Sequence, residues 1–292
     1  MIRHVKILQG HEGAIYKLHF DPENRKLYST GGDGWLVEWD VDRSDDGVLI
    51  AKVPDKVFSL AVTPKYFLLG SFLGNFYILD RGNLSVLHEE RAHQQGIFSI
   101  LAAGDSFYTF GGDGRILRWS NSSFEKLKDF PLTNKSIRVQ ALHPGGHILA
   151  TGCSDGSIYI LSFPDLYLKK QIVDAHDPSV FALAWVDDML VSGGRDALLK
   201  SWNMAKDYAP DKTLNAHWYA IYDLALTSEY LISSSRDKSI RWWNRNNLQP
   251  VQTVKWGDAL EAHVHSVNTL AVDMFKNEVY SGSEDRTIRV WR

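Results

Sequence analysis

A four-residue register, repeated along the chain, limits the folds that this sequence can adopt more than any other feature. The last copy contains His263, Ser281, Asp285 and Trp291, separated by short runs in which apolar and β-branched residues alternate. Such runs, bounded by turn residues, indicate β-strands. In every complete copy the Trp follows the Asp by six residues, a hydroxyl residue precedes the Asp by four, and the His precedes it by 20 or 22.

Five copies of this register are complete. The other four are His11, Ser29, Asp33 and Trp39; His93, Thr109, Asp113 and Trp119; His176, Ser192, Asp196 and Trp202; and His217, Ser233, Asp237 and Trp243. A period of about forty residues, with a Gly-His or Ala-His opening and a Trp-Asp-like ending, resembles the WD40 repeat, whose unit is a four-stranded propeller blade. The resemblance covers the whole chain.

The resemblance implies an all-β fold, a single seven-bladed β-propeller of four-stranded antiparallel blades. Seven blades of about forty residues use the whole chain, so we expect one domain over residues 1–292, although length alone would suggest two. The predicted blades are approximately residues 10–40, 50–80, 90–120, 133–162, 174–203, 215–244 and 261–292. The last unit lacks a fourth strand, and we expect the strand-like run 2–8 to supply it and close the ring.

The second unit has lost all four polar members. Val53, Leu69, Leu73 and Leu79 occupy the positions of the His, the hydroxyl residue, the Asp and the Trp. Losing one partner would leave a buried polar group unpaired, at a cost of about 1–3 kcal/mol, whereas replacing the whole set by apolar groups can be nearly neutral. We therefore expect packing alone to hold this blade.

The fourth unit is partly degenerate. It keeps Thr151 and Asp155, but Leu161 replaces the Trp and no His lies between Thr133 and Lys135. We expect Asp155 to accept hydrogen bonds from turn amides near Gly156 instead. Between the sixth and seventh units, a longer spacing predicts an extended loop at residues 256–261.

Ser, His and Asp are also the residues of a hydrolytic triad. A triad needs one exposed nucleophile beside one base and an oxyanion hole. Here the set occurs five times, each time with a Trp whose indole N–H can donate to the hydroxyl, so the chain of hydrogen bonds is saturated. We interpret the quartets as structural and predict no catalytic residue.

The mouth of the central channel is where we expect function. In such a propeller the inner strand begins just after the His, and the residue five positions beyond the His is aromatic in five of the seven units. These residues are Tyr16, Phe58, Phe98, Arg138, Phe181, Tyr222 and Asn268. Burial in the core explains them poorly, because neighbours such as Ile15 and Val57 already fill the inward positions.

A second ring of positions, the residue before each Asp, is expected on the same face. It supplies Arg195 and Arg236, close to the aromatic pair Trp218 and Tyr219. Aromatic residues and Arg are enriched at interface hot spots. The predicted partner-binding residues are Tyr16, Phe58, Phe98, Arg138, Phe181, Arg195, Trp218, Tyr222, Arg236 and Asn268. The alternative is that the arginines pair with local acids such as Asp237 or Glu261.

These patterns, together with the resemblance, predict a non-catalytic scaffold or adaptor. The expected partner is a protein or peptide segment, acidic or phosphorylated, that binds at the channel mouth. The alternatives are a structural subunit of a larger assembly that uses rim or bottom loops, and an enzyme that uses the channel. The mouth positions offer an enzyme only one acid, Glu284.

Composition excludes several other classes. The net charge of −3 and the dispersed basic residues argue against a general nucleic-acid or membrane binder. The pair His263 and His265 has chelating spacing but no third ligand in register, so we expect neither a metal nor a cofactor. A single cysteine, Cys153, and an N-terminal run without signal-peptide features lead us to expect a cytoplasmic protein.

Overall fold

The structure, a computed structural model, describes residues 2–257 and 261–292. The strands in chain order are β1 (His4–Gln9), β2 (Ile15–Asp21), β3 (Lys26–Gly31), β4 (Trp35–Trp39), β5 (Val48–Lys52), β6 (Val57–Val62), β7 (Tyr66–Ser71), β8 (Asn75–Asp80), β9 (Val86–Arg91), β10 (Ile97–Ala103), β11 (Ser106–Gly111), β12 (Arg115–Ser120), β13 (Lys126–Pro131), β14 (Ile137–Leu142), β15 (Ile148–Cys153), β16 (Ile158–Ser162), β17 (Leu168–Ile172), β18 (Val180–Val186), β19 (Met189–Gly194), β20 (Leu198–Asn203), β21 (Ala209–Asn215), β22 (Ile221–Leu226), β23 (Tyr230–Ser235), β24 (Ile240–Asn244), β25 (Pro250–Val254), β26 (Val267–Asp273), β27 (Glu278–Ser283) and β28 (Thr287–Trp291). A short 3₁₀ helix, Met204–Lys206, follows β20.

The strands form seven four-stranded antiparallel sheets, which confirms the predicted propeller. Six sheets take their strands in chain order: β2–β5, β6–β9, β10–β13, β14–β17, β18–β21 and β22–β25. The seventh contains β26, β27, β28 and β1. We number these sheets as blades 1 to 7, and the first strand of each lies beside the first strands of its neighbours, around the channel.

Strand β1 closes the ring, as predicted. It pairs antiparallel with β28, with His4 opposite Trp291 and Leu8 opposite Ile288. The backbones of Arg3 and Arg292 extend the pairing through two N–H to carbonyl bonds of 2.8 and 3.0 Å. Blade 7 is thereby completed by a distant part of the chain, and the edge of β28 is covered.

The repeat units and the sheets are offset by one strand. The range 10–40 ends with β4, whereas the outer strand of the same sheet, β5, begins at Val48. The same offset applies to the other units, because the sequence register ends on the Trp of the third strand. Of the extended loop expected at residues 256–261, residues 258–260 lie outside the described part of the chain.

The hydrophobic core lies between the blades. Each of seven clusters combines buried side chains from two adjacent sheets. The cluster between blades 7 and 1 includes Tyr280 and Ile288 on one side and Ile15 and Trp39 on the other, with Leu8 of β1 among them. The middle strands therefore pack on both faces and are nearly continuous apolar runs, such as Phe76 to Leu79 in β8.

Candidate interaction site at the mouth of the central channel

A shift in strand register marks the channel end of every inner strand. In β2, Ile15 pairs with Gly31 and Lys17 pairs with Thr30, so the pairing skips Tyr16. The other six inner strands shift at the equivalent position. The skipped residues are Tyr16, Phe58, Phe98, Arg138, Phe181, Tyr222 and Asn268. Such bulges re-aim a side chain.

These seven side chains line one cavity of about 280 Å³. Lys17, Asp223 and Glu284 contribute to its polar wall. The preceding residues of the same strands, among them Ile15 and Val57, are fully buried. The inner strands thus direct one side chain into the core and the next into the channel mouth.

Arg138 is enclosed by two aromatic rings. Its guanidinium carbon lies 3.8 Å from the ring centroid of Phe98 and 5.3 Å from that of Phe181. Burial lowers the pKa of Arg138 to about 10, partly offset by Tyr222. Among the described residues, none forms an ion pair or a side-chain hydrogen bond with Arg138, so its donors are unpaired in the cavity.

The charges of three arginines act on the Tyr222 hydroxyl. Burial raises the pKa of Tyr222, and the charges of Arg236, Arg138 and Arg195 oppose that rise, while Glu284 adds to it. Arg195 and Arg236 are exposed and lie outside the cavity lining. Within the described ranges neither has an acidic side chain within ion-pair distance, so both guanidinium groups lack a salt bridge.

Neither of the local acids considered as partners forms an ion pair with Arg195 or Arg236 among the residues that the structure describes. The Asp237 carboxylate accepts hydrogen bonds from His217, Ser239 and the backbone N–H of Trp218. The carbonyl oxygen of Glu261 accepts from Arg289. The alternative that Asp237 or Glu261 neutralises Arg195 and Arg236 is therefore not what the structure shows.

The second ring of positions, the residue before each Asp position, is joined to the mouth by the same backbone hydrogen bond in each blade. The backbone N–H of the residue before each Asp position donates to the carbonyl just before the inner strand, as Arg195 does to Ser179 at 2.9 Å and Arg236 to Ala220 at 2.9 Å. Trp218 is 81% exposed on the neighbouring loop, outside the cavity lining. The Arg236 guanidinium lies 5.9 Å from the ring of Tyr219.

Asn268 differs from the other six residues of the ring. Its side-chain Nδ2 donates to the carbonyl of Ile15 at 2.9 Å and so joins blade 7 to blade 1. It lines the cavity, but one of its donors already serves the fold.

A charged pair below the mouth was not found from the sequence. Lys17 Nζ of blade 1 lies 3.4 Å from the Asp223 carboxylate of blade 6. Asp223 also accepts from Thr269 Oγ1 and from the N–H of Leu270 in the intervening blade 7. The same two residues border a second channel cavity of about 390 Å³. One signal in the sequence could have revealed this pair. Lys17 and Asp223 carry opposite charges, and each directly follows the skipped residue of its own strand.

Each complete quartet forms a continuous hydrogen-bonded chain. The indole Nε1 lies 2.8–3.1 Å from the hydroxyl oxygen, the hydroxyl 2.7–2.8 Å from His Nε2, and His Nδ1 2.8–3.2 Å from the carboxylate. The carboxylate only accepts, so Nδ1 donates to it and Nε2 accepts from the hydroxyl. The five hydroxyl residues are fully buried, which leaves no approach for a substrate.

The two degenerate blades use other contacts. In blade 4, Asp155 accepts from the Ser157 N–H at 2.8 Å, as expected of a turn amide, and also from the Tyr159 hydroxyl at 2.7 Å, which was not expected. In blade 2, the Asp55 carboxylate accepts from the N–H of Leu73 at 2.7 Å. The prediction that packing alone holds blade 2 was therefore wrong.

Two further properties bear on function. Among the described residues, no three His, Cys, Asp or Glu side chains lie together as metal ligands would. The described part of the chain also contains no helix with the length and apolar character needed to cross a membrane.

Known proteins share this architecture. Protein transport protein sec13 of Aspergillus fumigatus is 28% identical over 238 residues, 69% of this chain and 64% of its own length. Eukaryotic translation initiation factor 3 subunit I of Drosophila willistoni is 25% identical over 209 residues, 65% of this chain and 64% of the relative. The chain thus spans less than two thirds of these relatives.

A solved structure supports the fold independently of sequence. The WD40 β-propeller domain of Doa1 superposes with a TM-score of 0.85 over 100% of this chain and 97% of that domain, at 17% identity. Residues 2–40, 125–162, 209–244 and 252–292 match the family model for the WD domain, G-beta repeat. These matches cover more than half of the sequence, and the chain belongs to the WD40 repeat family.

Proposed function

We propose that this propeller is a non-catalytic scaffold or adaptor that binds a protein or peptide partner at the channel mouth. The partner segment is acidic or phosphorylated. Residues 1–292 act as one propeller domain, in the cytoplasm. The seven residues skipped by the register of the inner strands contact the partner directly. Arg195, Trp218 and Arg236 contact it on the surrounding face.

The unpaired guanidinium of Arg138 carries this proposal. A cation removed from water without a counter-charge is destabilising, and such groups are normally paired. Phe98 and Phe181 both lie beside the guanidinium, and its N–H donors, arranged as a planar fork, have no partner among the described residues. A carboxylate or a phosphate group matches that geometry with two parallel hydrogen bonds.

The surroundings of Arg138 favour the same class of ligand. Arg195 and Arg236 add positive potential close to Tyr222, which attracts an acidic segment and increases its rate of association. The aromatic rings beside them supply apolar area at low entropic cost, as hot-spot residues do. Charge and apolar area therefore occur together at one opening.

Affinity purification with matched variants tests the proposal. The wild-type protein, Phe181→Ala, Arg236→Glu and a bottom-face control, Lys65→Glu, are each immobilised, and co-purifying proteins are quantified by mass spectrometry. Lys65 is exposed on the loop between β6 and β7, at the opposite end of the strands from the mouth. We expect at least one protein to be lost from both mouth variants and retained by the control.

Equal retention of every partner by Phe181→Ala and Arg236→Glu would place the interface elsewhere.

One observation favours a second candidate, a structural subunit that uses the bottom loops: Phe275 is 91% exposed and Met274 is 59% exposed between β26 and β27. The name of one relative, translation initiation factor 3 subunit I, describes that relative as a subunit. Phe275→Asp would then release the partner that the mouth variants retain.

A further inference from the structure

The top turn of blade 2 exposes two large apolar side chains. Phe72 is 49% exposed and Leu73 is 55% exposed, directly before Gly74. Blades 1 and 3 carry Gly-Asp at the equivalent positions, residues 32–33 and 112–113, and both Asp residues bond to a His. Blade 2 therefore exposes apolar surface at the two positions where the turns of the adjacent blades 1 and 3 are small or hydrogen-bonded.

Backbone contacts hold this turn in place without a quartet. The Leu73 N–H donates to Asp55 at 2.7 Å, and the Phe72 N–H donates to the Lys56 carbonyl at 2.8 Å. Gly74 has a φ of +89°, and a Cβ at this position would lie 2.2 Å from the carbonyl oxygen of His93. The two side chains are thus presented from an ordered backbone, which reduces the entropy cost of binding.

The exposed turn is continuous with the channel mouth. The ring of Phe72 meets that of Phe58 edge-on at 5.4 Å, and Phe58 stacks on Phe98 at 5.8 Å. Phe98 is the ring beneath the Arg138 guanidinium. A path of touching side chains therefore joins the apolar turn to the unpaired cation over no more than about 15 Å.

We propose that Phe72 and Leu73 form an apolar subsite that fixes the register of the partner segment. The segment carries an aliphatic or aromatic side chain on this turn and a carboxylate or phosphate group at Arg138. An extended chain advances about 3.3 Å per residue, so the two groups lie within about five residues of each other. This inference rests on the proposed function and adds the spacing of its ligand.

Selection from a random peptide library displayed on phage tests the spacing directly. Three immobilised proteins are compared: wild type, the double variant Phe72→Gly/Leu73→Asn, and a control, Val86→Ser/Leu87→Ser. The first variant resembles the small turn residues of blades 1 and 3. Val86 and Leu87 belong to the outer strand of the same blade and are 56% and 42% exposed, so the control removes similar apolar area at the rim.

We expect wild type and control to enrich peptides with an apolar residue within about five positions of Asp or Glu. Synthetic copies should bind Phe72→Gly/Leu73→Asn about tenfold more weakly or worse, because they lose their apolar contact with the turn. Peptides selected on that variant should still contain Asp or Glu but should no longer share an apolar residue at a fixed distance from it. Thermal melting checks that each variant is folded.

Failure of the subsite and failure of the proposed function give different results. Two outcomes would contradict the subsite but not the proposal of an acidic partner. The selected peptides could contain Asp or Glu without a recurring apolar position, or the peptides could bind the turn variant as tightly as wild type. No enriched acid on wild type would count against both. If wild type self-associates in size-exclusion chromatography and the turn variant does not, a second copy covers this turn and the subsite proposal is wrong.

Discussion

The guanidinium carbon of Arg138 lies 3.8 Å from the centroid of the Phe98 ring, and no described residue supplies a counter-charge. A cation–π contact contributes about 0.5–1 kcal/mol at an exposed site and about 2 kcal/mol or more where the cation is desolvated. That contribution is smaller than the usual cost of removing an unpaired ion from water, which is several kcal/mol. The fold therefore carries at this point a group that its own stability does not require.

Replacing Arg138 should separate stability from binding. We expect Arg138→Met to raise the free energy of unfolding by about 1 kcal/mol, because an apolar side chain of similar length fills the same space between two rings. Acidic peptides from the selection should lose at least about tenfold in affinity. Urea denaturation and fluorescence polarisation measure the two effects. Arg195→Met, at an exposed position, serves as the control and should leave stability unchanged.

Two threonines at equivalent positions should respond oppositely to the same substitution. Thr109 Oγ1 contacts His93 at 2.8 Å and Trp119 at 3.1 Å, whereas the buried hydroxyl of Thr151 has neither a His nor a Trp partner and lies near only a weak one, the Cys153 thiol. Thr109→Val should lower the free energy of unfolding by about 1–3 kcal/mol, because His93 and Trp119 each lose a buried hydrogen-bond partner. Thr151→Val should be neutral or stabilising by up to about 1 kcal/mol. Similar losses in both melting curves would contradict the difference between blades 3 and 4.

Removing the histidine of one quartet tests its structural role. We expect His93→Ala to destabilise the protein by about 2–3 kcal/mol, because Asp113 loses its charge-assisted bond and Thr109 loses a partner. Peptide affinity at the channel mouth should be unchanged below the melting temperature. Gln94→Ala, at the exposed neighbouring residue, is the control. A variant that melts with wild type would show that the quartet does not stabilise the fold.

Acid should weaken the fold in two stages. Burial lowers the pKa of His217 and His263 below 6.5, with Arg241 and Arg289 adding to the effect and Asp237 and Asp285 opposing it. The unfolded chain therefore binds more protons just below pH 6.5, and stability falls as the pH drops through that range.

The second stage involves the carboxylates. Burial alone would raise the pKa of Asp237 and Asp285, but hydrogen bonds from His217 and His263 hold both below 3.8. The stability that they contribute is lost as the pH falls further, below 3.8. Urea midpoints measured between about pH 8 and pH 3 should fall continuously from about pH 6.5. A midpoint that stays constant down to about pH 4 would contradict the first stage.

The sequence was sufficient for features set by local, repeated patterns. The spacing from His263 to Trp291 predicted the blade, and the missing fourth strand predicted the pairing of β1 with β28. Counting from each His position also identified seven of the residues that line the cavity. Each of these follows from a period that recurs along the chain.

Contacts between residues outside that period could not be predicted. Tyr159 donates to Asp155 in a blade that has no histidine to bond that carboxylate, and the residue at this third-strand position varies from blade to blade. Lys17 meets Asp223 only because the ring brings blades 1 and 6 to one channel. The unpaired state of Arg138 likewise depends on which side chains the other blades direct into the mouth, and the repeat contains no information on that.

The seam between β1 and β28 determines how the ring responds to force. Arg3 and Arg292 lie at the same end of the seam, and Gln9 and Thr287 lie at the other. Tension applied to the two ends of the described chain therefore acts across the hydrogen bonds of the seam one after another, instead of shearing them together. We therefore expect the seam to separate at low force, one hydrogen bond at a time. Force applied at a bottom loop such as Gly104, instead of at the two ends, should leave the ring closed.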